Sequence, residues 1–182
     1  MEALRKVGPG KIIEMKYTLR KGGKTGDVME VMDEQWPLKF LFGEGMMLPV
    51  FEEYLLTMNE GQQFEFSLAP EDAYGQHDPS QVVQLFRDDL ELSDRHPYED
   101  IDAGDYLQLT TTSGSGHAGK VIEKTEKYLV IDCNHALAGL TLHFEGQILF
   151  IREARHDELE AGRYIEPNGF RSHSTLRLPP NE

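Results

Sequence analysis

Glu71-Asp72-Ala73-Tyr74-Gly75-Gln76 and, much later, Asn134-His135-Ala136-Leu137-Ala138-Gly139 running into Thr141-Leu142-His143-Phe144-Glu145 read as two halves of one site. The 57 residues between them, His77 to Cys133, carry strand patterns of their own. A segment with its own elements is a domain set into a loop, not a linker. The chain therefore divides, on this reading, into a discontinuous domain of residues 1–76 and 134–153, an inserted domain of residues 77–133, and a polar, flexible tail of residues 154–182.

Outward from these blocks, Ile13, Met15, Tyr17 and Leu19 alternate with Glu14, Lys16 and Thr18, the period of two of a half-buried strand. Lys21-Gly22-Gly23-Lys24 supplies a turn, because glycines accept the positive φ that hairpins need, and a second strand follows through Val28 to Met32. Pro49 suits a first helical residue, which needs no amide hydrogen. Phe51, Tyr54, Leu55 and Met58 then recur at helical spacing until Asn59-Glu60-Gly61. One apolar stripe must lie on something, and Gln63 to Leu68, with Phe64, Phe66 and Leu68 on one face, and Leu142 to Phe150 are the candidate strands. The expected class is α+β: a curved antiparallel β-sheet wrapped on a short helix, with a second small β-rich domain inserted.

The insertion reads as an acidic, turn-rich half containing Arg87 to Asp105. Two strand-like runs follow, Tyr106 to Thr112 and Gly119 to Ile131, joined at Ser113-Gly114-Ser115-Gly116. After Glu153, the run Ala154 to Arg163 adds a helical turn or two, and Pro167-Asn168-Gly169 and Pro179-Pro180 predict a frayed end.

Composition excludes some functions. Thirty-two acids against 18 bases give a formal net charge of -14, which repels phosphate backbones and anionic membrane surfaces, so neither nucleic acid nor membrane is an expected partner. The apolar stretch Leu38 to Met58 is broken by Gly43, Glu44, Gly45, Pro49 and Glu52-Glu53, and falls short of the roughly 20 continuous apolar residues of a membrane helix. A single cysteine, Cys133, and a start without an apolar signal core point to the reducing cytoplasm. No heptad seam or long apolar edge is visible, which predicts a monomer.

Asp72-Ala73-Tyr74-Gly75 and Asn134 to Phe144, with Arg152-Glu153-Ala154 beyond, resemble FKBP-type peptidyl-prolyl cis-trans isomerases, and within them the SlyD-like branch with a chaperone domain inserted in the flap. The likeness runs in order over residues 11–155. It implies an apolar, aromatic-lined cup between sheet and helix that accepts the proline of an unfolded client; no cofactor is expected, and the nickel-binding His- and Cys-rich tail of many relatives has no counterpart after Glu153, so no metal is expected either. Position by position it implies Tyr17, Asp27, Leu38, Met47, Leu48, Phe51, Tyr74 and Phe144 around that cup. Phe51 would be the floor, where many relatives use tryptophan, Met47 and Leu48 the wall, and Tyr74 the hydroxyl offered to a client carbonyl. Asp27 either positions Tyr17 or tunes the rim. Gly26 and Gly146 depart from the family pattern and imply a wider or shallower cup and slow turnover. The other reading is a client-binding module of the same fold with little or no isomerase activity.

Each aromatic taken singly also suits an ordinary core. Cys133 beside Asp132 and His135 lacks any sign of an oxyanion site, which argues against a thiol nucleophile. The seven histidines include no helical pair with metal-ligand spacing, and the region after Glu153 holds only His156 and His173. The acids from Asp88 to Asp105 read as a solvated face, or as a means of keeping the insertion soluble beside an apolar client groove.

Overall fold

The computed structural model describes residues 5–90, 97–110 and 116–166. It separates into two compact units, Met1–Gly75 with Gly139–Glu182, and Gln76–Ala138. Asn134 to Ala138, half of the opening motif, thus fall with the second unit.

In the first unit β1 (Lys11–Lys21) is central. It pairs antiparallel with β2 (Val28–Met32), with β3 (Leu38–Leu41) and, over its whole length, with β9 (Leu142–Glu153). β9 in turn pairs with β4 (Gln63–Leu68). Alternation does what period two requires. Ile13, Met15, Tyr17 and Leu19 are buried on the inner face with Phe64, Phe66, Leu68, Leu142 and Phe144. Helix α1 (Pro49–Leu55) buries Phe51 and Leu55.

The helix is shorter than its apolar spacing predicts. Leu56 leaves helical geometry and Thr57 takes a φ of 70°. The backbone there is captured by the chain start: Thr57 donates to the Val7 carbonyl and Val7 to the Met58 carbonyl. β3 was not foreseen either, since a run of four residues carries too little pattern to separate strand from loop. Between β2 and β3, Asp33 accepts hydrogen bonds from the amides of Gln35 and Trp36 at 2.8 and 2.9 Å, and Trp36 is 77% exposed.

The second unit is an antiparallel sheet in the order β5 (Val82–Phe86), β8 (Tyr128–Asp132), β7 (Gly116–Lys124), β6 (Tyr106–Thr110). The run expected as one strand from Gly119 to Ile131 is a hairpin, turned where Thr125 Oγ1 accepts from the amides of Lys127 and Tyr128. Tyr98, Ile101, Val121, Leu129 and Ile131 form its core, whereas Phe86, Tyr106 and Ile122 are about half exposed. Ser113 to Ser115 lie outside the described residues.

The polar run after Glu153 is not all tail. Helix α2 (His156–Ala161) seats Glu158, fully buried, against Arg152 of β9. Residues 167–182, the remainder of the expected tail, lie outside the described residues. Burial pushes the Glu158 carboxyl up, but the bidentate Arg152 pair at 2.7 Å and the amides of Arg155 and Ile165 outweigh it. They hold the carboxyl at about 2. A carboxylate depressed in the folded state stabilises folding above its unfolded value and loses that contribution as pH falls toward the folded one. Thermal unfolding of the wild type is therefore expected to lose stability between pH 4.5 and about 2. Glu158→Gln should be less stable at neutral pH and show a shallower slope across that window; equal slopes would show that the pair does not hold α2.

Candidate functional site

The inner face of the first unit gathers aromatic side chains around Phe144. Its ring lies 6.0 Å from Tyr17, 4.9 Å and edge-on from Phe51, and 5.6 Å from Phe66. Phe51 also meets Phe66 edge-on at 5.4 Å and Phe64 at 6.3 Å, geometries that suit the ring quadrupoles. On the outer side of the cluster, half-exposed Tyr54 stacks on Phe66 at 4.3 Å. Period two on β1, β4 and β9 and the single turn from Phe51 to Tyr54 bring these residues together.

Of the residues expected around the cup, Tyr17, Phe51 and Phe144 thus share one cluster. Leu38 is buried on β3 opposite Met15, one pleat from Tyr17. Met47 and Leu48, partly exposed, lead into α1, with the Leu48 carbonyl accepting the first helical bond from Glu52. Tyr74 is half-buried and close enough for its phenol to feel the Glu30 charge.

Asp27 is placed elsewhere. Its side chain is exposed at the mouth of the β1–β2 hairpin and pairs with Lys21 at 3.1 Å. The carboxylate on Tyr17 is Glu30, whose Oε2 accepts from the Tyr17 hydroxyl at 3.0 Å. Burial, and then Glu30, raise the Tyr17 phenol far above its ordinary value, so it stays a donor. Burial also raises Glu30, against the lowering effect of the Tyr17 bond, and burial followed by the Glu30 charge raises Tyr74. Glu30 was not among the residues expected there. The usable signal was parity: Met32 pairs with Tyr17 and Glu30 with Leu19, so both share the inner face.

Gly146 and Gly26 also differ from expectation. Tyr17, Gly146 and Phe64 are partners across three strands, and a Cβ on Gly146 would come within 2.6 Å of the Phe64 ring and 2.3 Å of the Lys16 carbonyl. Phe64 occupies that space, so the glycine does not widen the cup. Gly26 belongs to the hairpin turn, where a Cβ would overlap the Lys21 carbonyl.

The rest of the molecule offers little competing chemistry. Burial and the neighbouring Asp132 push the Cys133 thiol up, away from a nucleophilic thiolate. Among the described residues no group of three His, Cys, Asp or Glu is arranged to hold a metal ion, and no helix is long and apolar enough to cross a membrane.

Comparison with known proteins bears on this geometry. A family model described as FKBP-type peptidyl-prolyl cis-trans isomerase matches residues 4–91. The FKBP-type peptidyl-prolyl cis-trans isomerase SlyD of Treponema pallidum (strain Nichols) is 31% identical over 153 residues, covering 82% of this chain and 81% of that protein. The chain belongs to the FKBP-type peptidyl-prolyl isomerase family. The SlyD of Aeromonas hydrophila is also 31% identical, over 86% of this chain and 70% of its own length. A probable FKBP-type 16 kDa isomerase of Pseudomonas fluorescens is 26% identical over 82% and 95%.

As an FKBP-type isomerase, the protein catalyses rotation about the bond preceding proline. The α+β sheet wrapped on one helix is the fold expected of it. The two carboxylates can be told apart in solution. Glu30→Ala strands a buried hydroxyl and should cost about 1–3 kcal/mol in denaturant unfolding. Asp27→Asn removes only an exposed pair and should stay within about 0.5 kcal/mol. The reverse order would restore Asp27 to the site.

Proposed function

We propose that the Phe144 cluster is the proline-binding cup and that the second unit holds unfolded clients for it. The observation that carries the first half is the contact of Phe144 with both Tyr17 and Phe51, with Glu30 fixing the Tyr17 hydroxyl. Such a site needs no nucleophile. The barrier to amide rotation is about 18–20 kcal/mol and arises from conjugation that places charge on oxygen and nitrogen, a polar state that water supports. An apolar cup that removes water favours the twisted, less polar amide. Tyr17, Phe51 and Phe144 form a floor that is nearly inaccessible to solvent, and the partly exposed Met47, Leu48 and Tyr74 are the rim a proline would meet. The Tyr74 hydroxyl, kept protonated by burial and by Glu30, is the donor to a client carbonyl.

For the second half, Phe86, Tyr106 and Ile122 put apolar surface on the outside of a unit that already has a core. Clients held there stay at high local concentration for the cup, which compensates for modest intrinsic turnover. Uncatalysed isomerisation takes tens of seconds and limits folding, so the substrates are unfolded or partly folded proteins with X-Pro bonds. The cytoplasm, as a reducing compartment, suits the lone Cys133.

The nearly complete burial of Phe51 and Phe144 favours one other reading, a holding module with negligible turnover. A peptide assay on a short X-Pro substrate separates the two. Under the isomerase reading the wild type turns the peptide over and Tyr74→Phe lowers kcat/KM about tenfold, or 1.4 kcal/mol, with an unchanged melting temperature. Replacing Gln76–Ala138 by a short loop should leave peptide turnover intact and abolish catalysed refolding of a proline-limited protein. Absent wild-type turnover would leave the holding module.

A further inference from the structure

The outer face of the first unit's sheet, opposite the cup, carries an open cavity of about 550 Å³. Strand register lays Val31, Thr18, Glu145 and Glu65 in one row across its floor, from β2 through β1 and β9 to β4. At about 4.8 Å per strand this row spans roughly 14 Å.

Three features of the row call for a ligand. First, Glu65 and Glu145 are direct cross-strand partners, an arrangement of like charges that destabilises a sheet. Their own counter-ions are weak. Lys24, which bridges to Glu65 at 2.7 Å, is mostly exposed, and the Arg20 Nε sits 3.5 Å from Glu145 without a hydrogen-bond partner.

Second, His143 is only 4% exposed, and its Nδ1 shares a hydrogen bond of 2.9 Å with the Ser67 hydroxyl. The other ring nitrogen, Nε2, has no hydrogen-bond partner and lies 3.8 Å from Glu65 Oε1, beyond hydrogen-bond reach. A buried, unpartnered ring nitrogen thus faces a carboxylate whose oxygens are engaged by Lys24.

Third, Val28 and Val31 lie 48% and 58% exposed on the outer face of β2, which ends the sheet order. The cavity therefore has an acidic bank and an aliphatic one. Asp33, Glu65 and Glu145 outnumber Lys16 among its charged lining residues.

We propose that this trough binds an extended peptide segment carrying an arginine and, about four residues away, an aliphatic side chain. A planar guanidinium bridges Glu65 and Glu145 with parallel hydrogen bonds, which the point charge of a lysine does not match. It relieves the like-charge pair and takes over from Lys24, freeing Glu65 to close on His143. Four extended residues cover about 13 Å, the reach needed to set the aliphatic group on Val31. Unfolded chains present such pairs and ordinary folded surfaces seldom do, so the isomerase unit gains a client contact independent of proline.

The test uses the full-length protein and a proline-free probe, acetyl-Gly-Arg-Ala-Ala-Ala-Leu-Gly labelled with fluorescein, followed by anisotropy at low salt. Binding should weaken at least tenfold when arginine is replaced by citrulline, and equally in the Glu65→Gln, Glu145→Gln double variant. That variant, relieved of the like-charge pair, should melt no lower than the wild type and keep its X-Pro peptide turnover. Unchanged affinity in the double variant overturns the proposal, and so does competition by an X-Pro peptide, which would place the probe in the cup. If Arg171→Gln with Arg177→Gln tightens probe binding tenfold, the occupant is the chain's own C-terminal segment and an external peptide is excluded.

Discussion

The pairing of β1 with β9 is the constraint on which the rest depends. Eleven residues from one end of the chain lie against twelve from the far side of the second unit, in register from Lys11 with Glu153 to Lys21 with Leu142. That ladder places Tyr17 beside Gly146 and Leu19 beside Phe144, and so builds the aromatic cluster from segments more than a hundred residues apart. It also brings the ends of the excursion together: the Gly139 amide donates to the Gly75 carbonyl at 2.8 Å, and a whole β unit leaves and returns through that gap. Closing so long a loop costs little more than closing a short one, because the entropy grows only logarithmically with length.

Within this frame the aromatic cluster balances apolar packing against one buried polar pair. Tyr17 and Glu30 satisfy each other where neither reaches water easily: burial and Glu30 keep the Tyr17 phenol protonated, while the Tyr17 bond offsets part of the cost of burying the Glu30 carboxylate. The glycine at 146 completes the arrangement, since it allows β1 and the Phe64 ring to close on β9 where any side chain would hold them apart.

The sequence made the large features legible for simple reasons. Strict alternation from Ile13 to Leu19 and from Phe64 to Leu68 leaves no choice of face, and Pro49 followed by Phe51 and Leu55 marks the helix and its buried stripe. Tertiary contacts decided what was not legible. The helix stops early because Val7, from the start of the chain, takes its last backbone groups. Asp27 came from the family resemblance alone, whereas the pairing of Tyr17 with Met32 and Leu19 with Glu30 puts Glu30 on the inner face, and the register shift that follows leaves Asp27 at the hairpin mouth. Glycine 146 looked like missing volume because the ring that fills it belongs to another strand. The trough on the outer face had no sequence signature, being made of short pieces of four strands far apart in the chain.

Trp36 has a practical bearing. With phenylalanine, Phe51, at the centre of the aromatic cluster, the only indole in the protein projects from the β2–β3 turn, 77% exposed to solvent. Its emission is already that of a hydrated ring in the native state, so denaturation will scarcely shift it. Fluorimetry is a poor monitor of this protein's own unfolding, and a nearly constant background against which a tryptophan-bearing client can be watched.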